Sequence, residues 1–247
     1  MPERVKVSLS VIIPCCDEAD NLDFVIGEVI DVFDGRAFEL VIVDDGSGDA
    51  TPDLLGKVAL SRSDVAMTVL RHDRRAGKST AIRTGLDAAC GEIICTMDGD
   101  GQNDPVALLD LADALAAAGP EVGLAAGQRL KRSDSRVKQL ASRFANGLRA
   151  RLLRDGTRDT ACGLKAVRAE LFRRLPYFDN WHRFLPALVR REGYEVIHID
   201  VVDRERRYGK SKYGIWDRAT AGALDLFGVW WLRRRRRVIP EVTRIEP

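Results

Sequence analysis

Short apolar runs rich in β-branched residues recur along the first half of the chain, near 8–14, 38–44, 66–71, 91–97 and 122–127, with Gly, Pro, Asp or Asn breaking the chain after them. Such runs predict buried strands. Between them, near 19–33, 51–60, 78–90 and 104–118, apolar residues return every three or four positions and predict helices. Thr51 and Pro52 suit the N-cap and first turn of the second helix. This alternation predicts an α/β fold with a mostly parallel central sheet flanked by helices. The second half is less regular, with helical segments near 135–153, 168–174 and 181–192 around a short strand at 195–202. A last helical stretch, 215–232, runs into the unbroken series Arg233 to Arg237.

Acids collect where the predicted strands end. The run Glu92-Ile-Ile-Cys95 breaks into Thr96-Met-Asp-Gly-Asp-Gly-Gln-Asn-Asp-Pro105. Asp98 and Asp100 can there reach one divalent cation together, leaving its other positions for phosphate oxygens. Gly99 and Gly101 admit a ligand close to the backbone. A cation so placed neutralises charge on a leaving diphosphate. An EF-hand is excluded, because the sixth position from Asp98 is Asn103 instead of Gly and the twelfth is Leu109 instead of Glu. Asp44 and Asp45 follow a second strand, and Asp17 and Glu18 follow a third that ends at Pro14. One acidic helix start is explained by capping and the helix dipole. Three in one βαβα run point to a ligand, since the carboxyl ends of parallel strands converge on one crevice. A nucleotide there offers base and ribose donors to carboxylates and its diphosphate to a metal. Two lookalikes fail: Gly77-Lys78-Ser79 has His72 where a P-loop needs Gly, and the first βα turn lacks the glycines of a dinucleotide site.

With 247 residues, 45% hydrophobic and 31% charged, the chain suits one α/β domain. A net charge of +2 gives no global preference for polyanions, and no nucleic-acid partner is expected. The charge is uneven, however, with Arg and Lys concentrated between Gln128 and Arg158 and again at Arg233 to Arg237. Five cysteines (Cys15, Cys16, Cys90, Cys95 and Cys162), odd in number and without Cys-x-x-Cys spacing, suit a reducing cytosol better than a disulfide framework. The opening Met-Pro-Glu-Arg-Val-Lys has no apolar core of a signal peptide.

Taken in order, Val11-Ile-Ile-Pro-Cys-Cys-Asp-Glu18, Val43-Asp-Asp-Gly-Ser47, Arg75-Ala-Gly-Lys-Ser-Thr-Ala-Ile-Arg-Thr-Gly85 and Met97-Asp-Gly-Asp-Gly-Gln-Asn-Asp-Pro105 resemble the family 2 glycosyltransferases of GT-A fold. Within them the chain is most similar to the dolichol-phosphate mannose synthase and polyprenyl-phosphate glycosyltransferase branch, over roughly residues 8–232. The implied organisation is a GT-A (Rossmann-like) catalytic domain over 1–214, with a donor half near 8–127 and a helical acceptor half near 128–214. An amphipathic, basic membrane-surface segment over 215–247 follows. The resemblance implies that Asp98, Asp100 and Gln102 hold Mg2+ or Mn2+ on a nucleotide-diphosphate sugar, GDP- or UDP-linked. Pro14, Glu18, Asp44, Asp45, Lys78 and Asp98 then line the donor. Arg129 ends the fifth strand, where the family has an Arg that meets phosphate. Asp159 lies in Arg158-Asp-Thr-Ala-Cys-Gly-Leu-Lys165, which resembles the acceptor-side loop. Arg206, Ser211 and Lys212, in Asp203-Arg-Glu-Arg-Arg-Tyr-Gly-Lys-Ser-Lys-Tyr-Gly214, can clamp an anion through charge-assisted bonds. His182 is open between a structural role and contact with the acceptor phosphate. The expected catalytic set is Asp100, Arg129, Asp159, Arg206 and Lys212, and Arg129, His182, Arg206, Ser211 and Lys212 form the acceptor set.

Chemistry favours a phosphate acceptor. A sugar hydroxyl needs a general base, whereas a phosphate monoester is already anionic and needs mainly positioning and charge screening. The second half is rich in cations and poor in bases, with Asp159 the exception that keeps hydroxyl transfer open. The longest uncharged run of the last helical segment, Leu226 to Leu232, is far short of the ~20 residues of a spanning helix. Aromatic rings beside a basic run suit a helix lying among lipid headgroups, the alternative being a core helix followed by solvated charges. The expected activity is inverting, metal-dependent transfer of a sugar to a polyprenyl phosphate by a peripheral protein at the cytoplasmic membrane face. Transfer to a sugar or lipid hydroxyl and non-catalytic nucleotide-sugar binding are the alternatives. A separate membrane protein and self-association both remain open as partnerships.

Overall fold

The computed structural model describes residues 7–130, 149, 151–205 and 215–237. Seven strands form one sheet: β1 (Leu9–Cys15), β2 (Phe38–Asp44), β3 (Met67–Arg71), β4 (Ile93–Thr96), β5 (Val122–Arg129), β6 (Lys165–Arg168) and β7 (Glu195–Val201). Their order is β3-β2-β1-β4-β6-β5-β7. The helices are α1 (Ala19–Val32), α2 (Thr51–Ser61), α3 (Lys78–Ala88), α4 (Pro105–Ala117), α5 (Ala169–Arg174), α6 (Leu185–Arg191) and α7 (Ile215–Arg234), with a 3-10 turn at Trp181–Arg183. The expected α/β architecture with a mostly parallel sheet is therefore present. β6 was not anticipated. It runs antiparallel between β4 and β5, and all other pairings are parallel. Of the helix expected near 135–153, only the last turn lies among the described residues.

The strand period sorts the core into two layers. On one face, Val11, Ile13, Leu40 and Ile42 pack against Leu22, Val25, Ile26 and Val29 of α1, Leu55 of α2 and Leu108, Leu111 and Leu115 of α4. On the other, Ile12, Val41 and Val43 share a cluster with Ile82 and Leu86 of α3, Phe172 of α5, Leu185 and Leu188 of α6 and Val229 of α7. α4 begins as its sequence dictates, with Asp104 accepting the Val106 N–H at 2.9 Å and Pro105 in the first turn. Pro14 is tolerated in a central strand for a local reason. β1 pairs with β4 only from Leu9 to Ile12, so Pro14 lies beyond the place where an N–H toward β4 is needed.

Two loops cross closely at the carboxyl edge of the sheet. Gly46, in the turn after β2, has φ = +67°, and a Cβ there would lie 2.5 Å from the carbonyl carbon of Arg74 and 2.6 Å from the Arg75 nitrogen. A Cβ on Gly48 would meet nothing within 4 Å. Gly46→Ala is therefore expected to destabilise the protein by about 2 kcal/mol or more, through the left-handed backbone and the forced loop shift. Gly48→Ala is expected to stay within about 0.5 kcal/mol of the parent. Urea unfolding of both variants checks this, and equal midpoints would contradict the close crossing.

Candidate active site

The loops after β1, β2, β3 and β4 meet where the chain passes from β3, at one sheet edge, back across β1 to β4. That reversal of strand order opens the crevice. The first two loops are laced together. Asp17 N–H donates to Ser47 Oγ (2.8 Å), Glu18 N–H to Thr51 Oγ1 (3.0 Å) and Gly48 N–H to Asp17 Oδ1 (2.8 Å). Thr51, expected as the cap of α2, instead serves Glu18, and the Thr51 N–H is capped by Asp49 at 2.9 Å. Partial burial works against ionisation of Asp49, yet hydrogen bonds from Thr51 and Ala19 hold its carboxyl below the usual carboxylate range. The Glu18 carboxylate accepts from Asn21 Nδ2 at 2.8 Å. From the loop after β3, Arg75 reaches across to Asp17 at 2.6 Å.

The paired acids after β2 have different environments. Asp44 Oδ1 accepts the Ser47 N–H at 3.0 Å and the Ser47 hydroxyl. Its Oδ2 is buried without a hydrogen bond, with only Arg71 Nε at ion-pair distance, 3.3 Å. Asp45 is turned toward the protein. It pairs with His72 Nδ1 at 2.8 Å and accepts the N–H groups of Ala76 and Gly77 at 2.8 and 2.7 Å. Both its oxygens thus hold the 72–77 loop against the crevice and set the start of α3, where Lys78 sits.

Asp98 and Asp100 stand beyond β4. The Asp98 N–H donates to Asn103 Oδ1 at 2.9 Å and the Gln102 N–H donates to Asp100 Oδ1 at 3.1 Å, so the loop's own amides fix both residues. The Lys78 ammonium pairs with Asp98 Oδ1. Burial opposes charge on Asp98, but Lys78, with Lys165 and Arg129 behind it, holds the carboxyl below its ordinary value. A Cβ on Gly163 would come within 2.8 Å of the Asp98 carboxyl and of Asn103 Oδ1, so any larger residue would have to displace these side chains. Among the described residues no three His, Cys, Asp or Glu side chains gather as a metal cluster. Two hard carboxylates fit Mg2+ or Mn2+ nonetheless, because such ions commonly take one or two carboxylates and complete their shell with water and substrate phosphate.

Across the crevice, Arg129 at the end of β5 forms a fork on Asp159, with Nε to Oδ2 at 2.5 Å and Nη2 to Oδ1 at 3.0 Å, and donates Nη1 to Asp203 at 3.0 Å. Burial opposes its charge, but the two carboxylates raise its pKa above the ordinary arginine value. Asp159, expected in the catalytic set, is thus engaged with Arg129, and it also accepts the Ala161 N–H at 3.1 Å. Asp203 lies behind both, with burial raising its carboxyl pKa. Asp203, Asn103 and Lys165 were not singled out from sequence, although Asp203 opens and Lys165 closes motifs that were. Lys165 is only 4% exposed, donates to the Cys162 carbonyl, and burial pulls its ammonium down to about 8. His182 is held by Ser79 Oγ at 2.8 Å, above a fully buried Trp181 whose indole N–H donates to the Ser79 carbonyl at 3.3 Å. Burial, with Lys78 and Lys165 nearby, keeps the His182 pKa well below normal, so the imidazole is neutral at pH 7. Arg206, Ser211 and Lys212 lie outside the described residues. The segment leading to them crosses the loop after β4, with the Arg204 N–H donating to the Gln102 carbonyl at 2.8 Å and its guanidinium pairing with Glu28 and Asp104.

Comparison with known proteins bears on the family and the fold. Residues 10–175 match the family described as Glycosyl transferase family 2. The chain is 32% identical over 209 residues to the undecaprenyl-phosphate 4-deoxy-4-formamido-L-arabinose transferase of Edwardsiella ictaluri, covering 84% of this chain and 63% of that protein. It is 31% identical over 234 residues to the dodecaprenyl-phosphate galacturonate synthase of Rhizobium johnstonii, covering 93% of this chain and 68% of the relative. Among solved structures, glucosyl-3-phosphoglycerate synthase from Mycobacterium tuberculosis in complex with Mg2+ and uridine diphosphate superposes with a TM-score of 0.67 at 19% identity, over 92% of this chain and 79% of that one. That likeness speaks to the fold. On the match over 10–175 and the identity to the Rhizobium johnstonii enzyme, the chain belongs to glycosyltransferase family 2.

Proposed function

We propose that this protein transfers a sugar, with inversion, from a nucleotide-diphosphate sugar to a polyprenyl phosphate at the cytoplasmic surface of a membrane. The observation that carries the reading is the placing of a carboxylate pair and a carboxylate-clasped arginine at one edge of the sheet. Asp98 and Asp100 stand on the donor side, and Arg129, clasped by Asp159 and Asp203, stands on the other. Glu18 and Asp44 would meet base and ribose; among the described residues the buried Asp44 Oδ2 accepts no hydrogen bond and has Arg71 at ion-pair distance, so a ligand donor there would satisfy it. Asp98 and Asp100 would hold Mg2+ or Mn2+, which when bound supplies positive charge to the leaving diphosphate. Lys78, already beside Asp98, lies within reach of the same phosphates. Among the described residues Arg129 places three of its five N–H donors on carboxylates, and an acceptor phosphate would take the others. Both oxygens of Asp159 accept from the Arg129 fork, which commits the carboxylate to the arginine instead of to an acceptor hydroxyl. That favours an acceptor that arrives as an anion over a hydroxyl. Mass-spectrometric detection of product from UDP- and GDP-sugars offered with polyprenyl phosphate tests the whole reading, and turnover only on hydroxyl acceptors would overturn it.

Membrane contact in this reading belongs to α7. Its inner side joins the core through Leu226, Val229 and Trp230, and the Arg191 Nε donates to the Leu232 carbonyl at 3.0 Å. Its outer side carries Leu224, Phe227 and Trp231, which are 75%, 63% and 50% exposed. Arg234 lies over the Trp230 ring at 4.4 Å and Arg235 near Trp231 at 5.8 Å. No helix of the described residues is long and apolar enough to cross a membrane. An apolar stripe with a basic end suits the headgroup region, anionic lipid supplying the attraction.

Two outcomes are expected. Asp100→Ala should lower transfer by roughly a hundredfold or more, since even partners behind a metal ligand are worth ~10- to 100-fold, with little change in unfolding temperature. Excess chelator should do the same to the parent protein, reversibly, and full turnover in chelator would remove the metal from the reaction. Replacing Leu224, Phe227 and Trp231 together by Ser should cut sedimentation with anionic vesicles about tenfold or more, while donor binding is kept. Truncation is the wrong instrument here, because it would remove Val229 from the core. Undiminished vesicle binding by the triple variant would show that this face is not the anchor.

A further inference from the structure

Lys165 is a buried cation that the proposed chemistry does not use. It opens β6, opposite Thr96 at the end of β4 and Ala126 of β5, and is 4% exposed. A lysine so placed turns its ammonium to the protein. Its ammonium donates to the Cys162 carbonyl and so closes the turn that precedes β6. The same turn is tied to β4 by the Thr96 hydroxyl on the Gly163 carbonyl at 2.8 Å, and to β5 by the Gly127 N–H on the Leu164 carbonyl at 3.0 Å. At its middle, Gly163 passes so close that a Cβ would lie 2.8 Å from the Asp98 carboxyl and 2.8 Å from Asn103 Oδ1, the atom that receives the Asp98 N–H. The turn is thus the surface on which the Asp98 carboxylate rests. The charge of Lys165 also acts on Asp98 and Asp159 at once, attracting one from each wall of the crevice.

We propose that Lys165 is a positioning residue for the metal-binding carboxylate of Asp98, acting through the Cys162–Leu164 turn that it clamps. Removing the ammonium releases the Cys162 end of the turn and loosens the seat of Asp98, although the Thr96 and Gly127 bonds remain, while the nucleoside side of the crevice, built from the first two loops, is untouched. The inference rests on Asp98 and Asp100 being the cation site of the donor complex. Lys165 therefore separates two quantities that a general loss of packing would move together: affinity for the nucleotide alone and affinity for the cation in its presence.

The test is Mn2+ titration followed by electron paramagnetic resonance, with the full chain, in saturating UDP and in saturating GDP, and without acceptor or turnover. For Lys165→Met the Mn2+ affinity should fall ~10- to 100-fold, the range for groups that orient a metal ligand. Affinity for the nucleotide without metal and the unfolding temperature should stay close to the parent's. Lys165→Arg, which keeps a cation able to reach the Cys162 carbonyl, should recover most of the loss. Gly163→Ala, which pushes the turn against Asp98 and leaves the lysine in place, should reproduce it. Parent-like Mn2+ affinity in a folded Lys165→Met protein overturns the inference and leaves the donor-site reading standing. Should Lys165→Met not fold, Gly163→Ala decides, and parent-like Mn2+ affinity there overturns the inference equally. Parent protein that binds Mn2+ with neither nucleotide overturns the cation site, and this inference with it.

Discussion

Gathering carboxylates at one edge of a sheet is electrostatically unfavourable unless each finds a counter-charge, and that requirement organises the active edge of this protein. Asp17 has Arg75, Asp44 has Arg71, Asp98 has Lys78, and Asp159 and Asp203 share Arg129. Each cation comes from a different part of the chain than its acid, so satisfying the charges also fixes strand ends and loops against one another. The arrangement is therefore both a binding surface and a set of cross-links. Where an acid meets backbone N–H groups instead, as Asp45 does, it builds the loop and is less open to a ligand.

Much of this was legible in the chain. The first four βα units read correctly because every strand is a short β-branched run and every helix has a periodic apolar face, so local preference and tertiary demand agree. The acidic strand ends were legible for the same reason, since parallel topology carries them to one place. β6 was not legible, because Lys165-Ala-Val-Arg168 is short and places a lysine in the interior. An inward charge contradicts the strand pattern, and only a neighbouring carbonyl and carboxylates make it tolerable. The roles of Asp45 and Asp49 were equally hidden. Sequence shows which residues can cap or bind, whereas the choice among equivalent acids depends on which N–H groups the loops bring near.

The final described helix shows a related limit. Its composition suited either a core element or a surface element, and the two sides of α7 do both. Val229 is fully buried, while Phe227, two positions earlier, is largely exposed and stacks on Trp230 with ring centres 5.4 Å apart. The apolar residues of such a helix are too many for one stripe, which is why no single periodic face announced itself.

β6 also acts as a ruler. Because it lies between β4 and β5, the strand ends that carry Asp98 and Arg129 are two inter-strand spacings apart instead of one, roughly 9.5 Å. Direct pairing of β4 with β5 would bring these strand ends to about 4.8 Å. Their separation is thereby set by backbone hydrogen bonds, which side-chain substitution cannot easily stretch. Side chains at the two strand ends can change without altering the span between the backbones that carry them.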